Sequence, residues 1–143
     1  MRDSAKNGRT VLVVDDEWLI LGAMRAILGA QGYNVVTAGE AGEALRICEQ
    51  YDGSIHLLIT DVNMPGMNGR VLAEQVTQRR PDTQVLYLSG HTDDPVIQHG
   101  IRTKTIAFIQ KPFSLVSLES KVREVLGDGD ANPAGRDPFW LAA

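Results

Sequence analysis

Four short apolar runs in this chain each stop at residues that could do chemistry. Thr10-Val11-Leu12-Val13-Val14 stops at Asp15-Asp16-Glu17, and Ile55-His56-Leu57-Leu58-Ile59-Thr60 stops at Asp61. Thr83-Gln84-Val85-Leu86-Tyr87-Leu88 ends at Ser89-Gly90, and Ile106-Ala107-Phe108-Ile109-Gln110 ends at Lys111-Pro112. Continuous apolar, β-branched runs read as strands buried on both faces, and in open α/β sheets ligands bind beyond the carboxyl ends of the strands. Asp15, Asp16, Asp61, Ser89 and Lys111 are thereby expected on one rim. Three carboxylates brought together repel one another unless a cation sits between them, and hard oxygen ligands with room for water suit Mg²⁺ or Mn²⁺. A lysine and a hydroxyl beside such an ion make a site for a dianionic phosphoryl group, the cations neutralising charge while the hydroxyl donates a hydrogen bond.

The elements that must carry these residues follow from the spacing. From Trp18 the apolar positions turn helical, with Ile20, Met24, Ile27 and Leu28 on one stripe and Gly32 past the end. Tyr33 to Thr37 is a further strand, and Ala41, Ala44, Leu45 and Cys48 recur at helical spacing, which makes Cys48 a core-facing residue. Gly69 to Arg80 reads as a helix with Leu72 and Val76 inward. Asp93 to Gly100 reads as a short helix with Pro95 in its first turn. Ser114 is expected to cap a last helix with Leu115, Leu118, Val122, Val125 and Leu126 on its stripe and Gly127 as its stop. Five strands alternating with five helices predict a doubly wound parallel sheet with helices on both faces.

With 143 residues and 43% hydrophobic content, the chain is long enough for one sizeable core and short for two. A formal net charge of −4 with scattered Lys and Arg gives no footprint for nucleic acid. The single cysteine rules out an internal disulfide framework, and no apolar run approaches the length of a membrane span, so a cytoplasmic location is expected. Residues 1–8 and the Gly-, Asp-, Asn- and Pro-rich residues 128–143 are expected to be disordered, the latter as a tail or linker.

The set Val14-Asp15-Asp16-Glu17, Asp61 with Met64-Pro65-Gly66-Met67-Asn68-Gly69, Ser89-Gly90 and Lys111-Pro112-Phe113 resembles the response regulator receiver domain of two-component signalling, over residues 9 to 127. The wording of Ser89-Gly90-His91-Thr92 and Gln110-Lys111-Pro112-Phe113 looks like receivers of hybrid sensor histidine kinases. The resemblance implies a (βα)5 flavodoxin-like sandwich with strand order 2-1-3-4-5. It implies that Asp61 is the phosphoacceptor, taking a phosphoryl group from a phosphohistidine of a sensor histidine kinase or histidine phosphotransfer domain. It also implies that Asp16 and Asp61 ligate Mg²⁺, that Asp15 helps through water, and that the Asn63 carbonyl adds a ligand. Lys111 would stabilise charge in transfer, while Ser89 and Phe108 form the switch and Asn63 and His91 tune dephosphorylation. The signalling face would be the fourth helix, fifth strand and fifth helix, contacted by a downstream protein. Such a domain catalyses its own phosphorylation and dephosphorylation without being a turnover enzyme by itself, or forms part of a histidine kinase if excised from a hybrid one.

Blander readings stand beside these. Asp61 could be a turn aspartate, and Asp15 or Asp16 a helix cap, a role compatible with metal binding by the other. Lys111 could be a plain surface lysine. His56, His91 and His99 have no metal-ligand spacing, and Trp18 falls next to the acids as a potential reporter. A haloacid-dehalogenase-type phosphatase wants a second aspartate two residues after the nucleophile, where this chain has Asn63. A nucleotide-binding flavodoxin-like module lacks its glycine-rich loop, and a degenerate receiver acting only as a binding module would not need intact acids, serine and lysine.

Overall fold

The computed structural model describes residues 8–90 and 93–127. Five parallel strands form one sheet: β1 (Thr10–Val14), β2 (Asn34–Ala38), β3 (Leu57–Asp61), β6 (Gln84–Ser89) and β7 (Ala107–Gln110), in the order β2-β1-β3-β6-β7. The remaining two, β4 (Asn63–Met64) and β5 (Met67–Asn68), make a small antiparallel hairpin. Counting only sheet strands, the order is the expected 2-1-3-4-5.

Alternation of side chains along each strand feeds two cores. Leu12, Val14 and Leu58 point to one face, where α2 (Ala41–Gln50), α3 (Gly69–Arg79) and α4 (Pro95–Thr103) bury Ala44, Cys48, Leu72, Val76 and Ile97. Val11, Val13, Leu57 and Ile59 point to the other, against Met24 and Leu28 of α1 (Trp18–Ala30) and Leu118, Val122 and Leu126 of α5 (Leu115–Leu126). Helices on both faces leave no wet side, which is why the strands read as unbroken apolar runs.

Most helix ends follow their local signals. Ser114 and Ser117 form a reciprocal capping box on α5, and Gly127 closes it at φ 70°. Two expectations are corrected. The fourth helix begins at Pro95 and runs to Thr103, because the Asp94 side chain caps the Val96 and Ile97 amides and Lys104 supplies the left-handed closing residue. Gly100 is not its stop; it lies buried in mid-helix, where a Cβ would collide with the Ile106 side chain. Leu115, expected on the buried stripe, is 54% exposed, as the first turn of α5 overhangs the edge of the core. Cys48 is core-facing as expected. Residues 1–7 and 128–143, for which disorder was expected, lie outside the described residues, as does His91.

Candidate functional site at the carboxyl edge of the sheet

The rim is assembled from the ends of four sheet strands. After β1, Asp15 is fully buried and Asp16 is exposed. At the end of β3, Asp61 is 5% exposed; Ser89 closes β6 and is buried, and Lys111 follows β7. Between Asp61 and α3 the hairpin turns at Pro65-Gly66, with Gly66 at φ +83°, as a turn with proline then glycine at its centre requires. Gly69 then starts α3 so close to the end of β3 that a Cβ would collide with the Asp61 carbonyl and the Val62 backbone, while its amide bonds the Val62 carbonyl at 2.7 Å.

Lys111 Nζ is the centre of the charge arrangement. It lies 2.6 Å from Glu17 Oε1, 2.9 Å from Asp15 Oδ2 and 3.1 Å from Asp61 Oδ2. Burial alone would lower the ammonium's pKa, but its contacts with the Glu17, Asp15 and Asp61 carboxylates outweigh that and hold it above the ordinary lysine range. For Asp15 burial prevails instead: it pushes the carboxyl up, against the opposing pull of Lys111 and the Glu17 amide, which donates to Asp15 Oδ1 at 2.8 Å. Its Oδ2 has Lys111 as an ion-pair neighbour but no hydrogen bond in a favourable direction. The Asn63 amide donates to Asp61 Oδ1 at 3.0 Å, and the Asn63 side-chain NH₂ donates to Ser89 Oγ at 3.1 Å.

The residues present fit a hard divalent cation. Asp15, Asp16 and Asp61 each offer a carboxylate oxygen, all within 4.8 Å of one another, and the buried Asp15 Oδ2 lacks a hydrogen bond. Strand ends in the sequence brought Asp15, Asp16, Asp61, Ser89 and Lys111 to one rim, the family resemblance added Asn63, and the structure places all six there. Phe108 stands apart, half-buried on β7 on the side of α2, α3 and α4. His56 accepts the Thr10 amide at 2.9 Å through Nδ1, far along the sheet from the acids.

Two features had no role assigned from the sequence. Glu17 was visible only as the third acid of a run, and nothing local shows that its carboxylate reaches Lys111. Asp94 forms a clasp: Oδ1 accepts the Val96 and Ile97 amides at 2.9 and 3.2 Å, Asn68 Nδ2 donates to Oδ2 at 2.9 Å, and Arg70 Nε lies 3.2 Å from both oxygens. Asn68 itself caps α3 by accepting the Arg70 amide. The N-termini of α3 and α4, which follow Asp61 and Ser89, are therefore tied to each other.

The fold and this rim define a flavodoxin-like α/β domain with an acid-and-lysine pocket. The model of the response regulator receiver domain matches residues 11–123, and the chain belongs to that family. It is 35% identical over 122 residues to the sensor kinase CckA of Brucella abortus, covering 85% of this chain and 13% of that protein. It is 30% identical to the aerobic respiration control protein ArcA of Escherichia coli K12, covering 81% of this chain and 48% of the relative. The chain thus spans less than half the length of either. Among solved structures it is similar to the receiver domain of the hybrid histidine kinase CckA, with TM-score 0.68, 32% identity and coverage of 82% of this chain and 98% of that one. It is also similar to the chemotaxis protein CheY4 of Vibrio cholerae, with TM-score 0.71, 29% identity and coverage of 82% and 98%.

Proposed function

We propose that this receiver takes a phosphoryl group from a phosphohistidine of a sensor histidine kinase or histidine phosphotransfer domain onto Asp61, and that the resulting acyl phosphate changes the α4, β7 and α5 surface read by a downstream protein. The observation that carries the reading is the meeting of Lys111 with Asp15 and Asp61 inside a carboxylate cluster of metal-binding dimensions. Asp61 attacks phosphorus, forming a carboxylate O–P bond as the imidazole N–P bond breaks and the histidine nitrogen leaves with its electron pair. Transfer proceeds through a loose transition state with charge on equatorial oxygens, so positioning and charge neutralisation supply most of the catalysis. Lys111 offers one cation. Asp15, Asp16, Asp61 and the Asn63 carbonyl are the groups that would hold Mg²⁺ or Mn²⁺, which when bound neutralises phosphoryl charge and fixes its orientation.

Ser89 would then donate its hydroxyl to the phosphoryl oxygens; in the bond it makes with the Asn63 side chain its oxygen is the acceptor, so that bond does not use the hydroxyl proton. Phe108 would move further inward. Turning a mostly off population into a mostly on one takes roughly 3 to 5 kcal/mol of differential interaction with the phosphoryl group. Trp18 and Leu19 follow the acids and Leu115 and Val116 follow Lys111; all four are exposed apolar residues at the same end of the sheet, a surface suited to the donor protein. No helix among the described residues is long and apolar enough to cross a membrane. Likeness to the receiver of a hybrid histidine kinase supports work beside such a kinase.

The test is intact mass after incubation with acetyl phosphate, with and without Mg²⁺, for the natural chain and Asp61→Asn. The expected result is one added phosphoryl group that needs both the metal and Asp61. Label persisting on Asp61→Asn would defeat the acceptor assignment.

A further inference from the structure

Glu17 is the N-cap residue of α1, yet its side chain caps nothing: no amide of the first turn bonds its carboxylate. That carboxylate reaches across the fold instead, to a lysine 94 positions away, and makes the shortest of the three contacts at Lys111 Nζ, 2.6 Å against 2.9 and 3.1 Å. An ammonium has three donors, and here three carboxylates surround it. Two of them, Asp15 and Asp61, belong to the cluster of metal-binding dimensions, so a cation there takes up part of their charge. Glu17 stands outside that cluster and is 59% exposed at its side chain, free to keep its hold on the lysine whether or not a metal arrives.

We propose that Glu17 is a positioning residue that holds the Lys111 ammonium in a resting place, from which a phosphoryl group on Asp61 has to draw it. The inference rests on the phosphoacceptor reading of Asp61 and deepens it: Glu17 sets how tightly the site grips a phosphoryl group. Removing its hold leaves Lys111 shared among fewer acceptors and raises that grip. An exposed ion pair is worth little, so the expected effect is about a twofold to fivefold gain in affinity.

The experiment uses the full chain with beryllofluoride as the phosphoryl mimic in saturating Mg²⁺, following backbone amide chemical shifts, with Mg²⁺ titrated alone in parallel. Glu17→Gln removes the charge. Glu17→Asp keeps it but is one methylene too short to hold Lys111 as closely. Tighter beryllofluoride binding in both variants, with Mg²⁺ affinity of Glu17→Asp unchanged, supports the proposal; a role confined to helix α1 would move thermal stability and leave this ratio alone. Tightening in Glu17→Gln only would reduce Glu17 to a repelling charge and overturn it, as would unchanged or weaker binding in both. If the natural chain itself binds no beryllofluoride in Mg²⁺, the receiver reading fails, a result separable from failure of the Glu17 step.

Discussion

Replacing Asp94 by alanine should destabilise the fold through loss of both a helix cap and a partly buried clasp, and the structure gives the size. The carboxylate caps α4 by accepting two amides, and loss of such a cap costs about 1 kcal/mol. It also meets Arg70 and Asn68 with only 7% of its side chain exposed, so those contacts are less screened than a surface pair and add about 1 to 2 kcal/mol. The total of about 2 to 3 kcal/mol corresponds to a fall in Tm of roughly 10 °C for a domain of this size. Asp94→Asn keeps an acceptor for the cap and should cost about 1 kcal/mol, while Arg70→Ala should cost less than that. Urea melts of the three variants and of the Asp94→Ala/Arg70→Ala double variant measure this, and the double should fall short of the summed singles. The pH dependence has a definite sign. Burial alone would raise the Asp94 carboxyl, but the Ile97 amide, Arg70 and Asn68 outweigh it and hold it below the usual value of 3.8. A depressed carboxylate contributes stability that is present above the unfolded value and lost as pH falls through the folded one, so Asp94→Asn should flatten the acid limb below about pH 4. Equal costs for Asn and Ala, or strict additivity with Arg70→Ala, would refute the clasp.

Mg²⁺ should change Trp18 fluorescence in a Trp140→Phe background, since Trp18 stands two residues from Asp16; an undiminished response in Asp16→Ala would place the metal elsewhere. Gly69→Ala should cost about 1 to 3 kcal/mol by overpacking against Asp61 and slow phosphorylation by acetyl phosphate, whereas Gly22→Ala, facing open space within α1, should stabilise by about 0.5 to 1 kcal/mol and leave phosphorylation alone. Burial, helped by Glu74, pushes the Tyr87 phenol up to about 12 from its ordinary 10.0, so stability should be lost as pH rises between those values, by about 1.4 kcal/mol per pH unit. Tyr87→Phe should remove that loss in alkaline denaturant melts.

The sheet and most of the rim were legible in the sequence because a buried parallel strand cannot continue through a charged residue. Each apolar run therefore announces both a strand and the polar group at its end, as at Val14-Asp15 and Thr60-Asp61. What escaped was set by tertiary geometry. Gly100 has the local signature of a stop, but its lack of a side chain serves the approach of Ile106. Leu115 obeys the helical period and is still exposed, since the period fixes a face and not how far along the helix the core extends. Glu17 and Asp94 each look like ordinary helix-start acids, and their partners Lys111 and Arg70 lie 94 and 24 positions away.

The distance along the chain between the acids and their lysine bears on how the protein is made. Translation delivers Asp15, Asp16, Glu17 and Asp61 well before Lys111, which is 50 residues beyond Asp61. A nascent chain that had already paired β1 with β3 would hold like charges together with no counter-charge of its own, and their repulsion would oppose that pairing until the last strand docks. Closure of the rim is thus deferred until β7 and Lys111 dock beside β6, and a chain that has not yet added that strand holds its acids without their lysine.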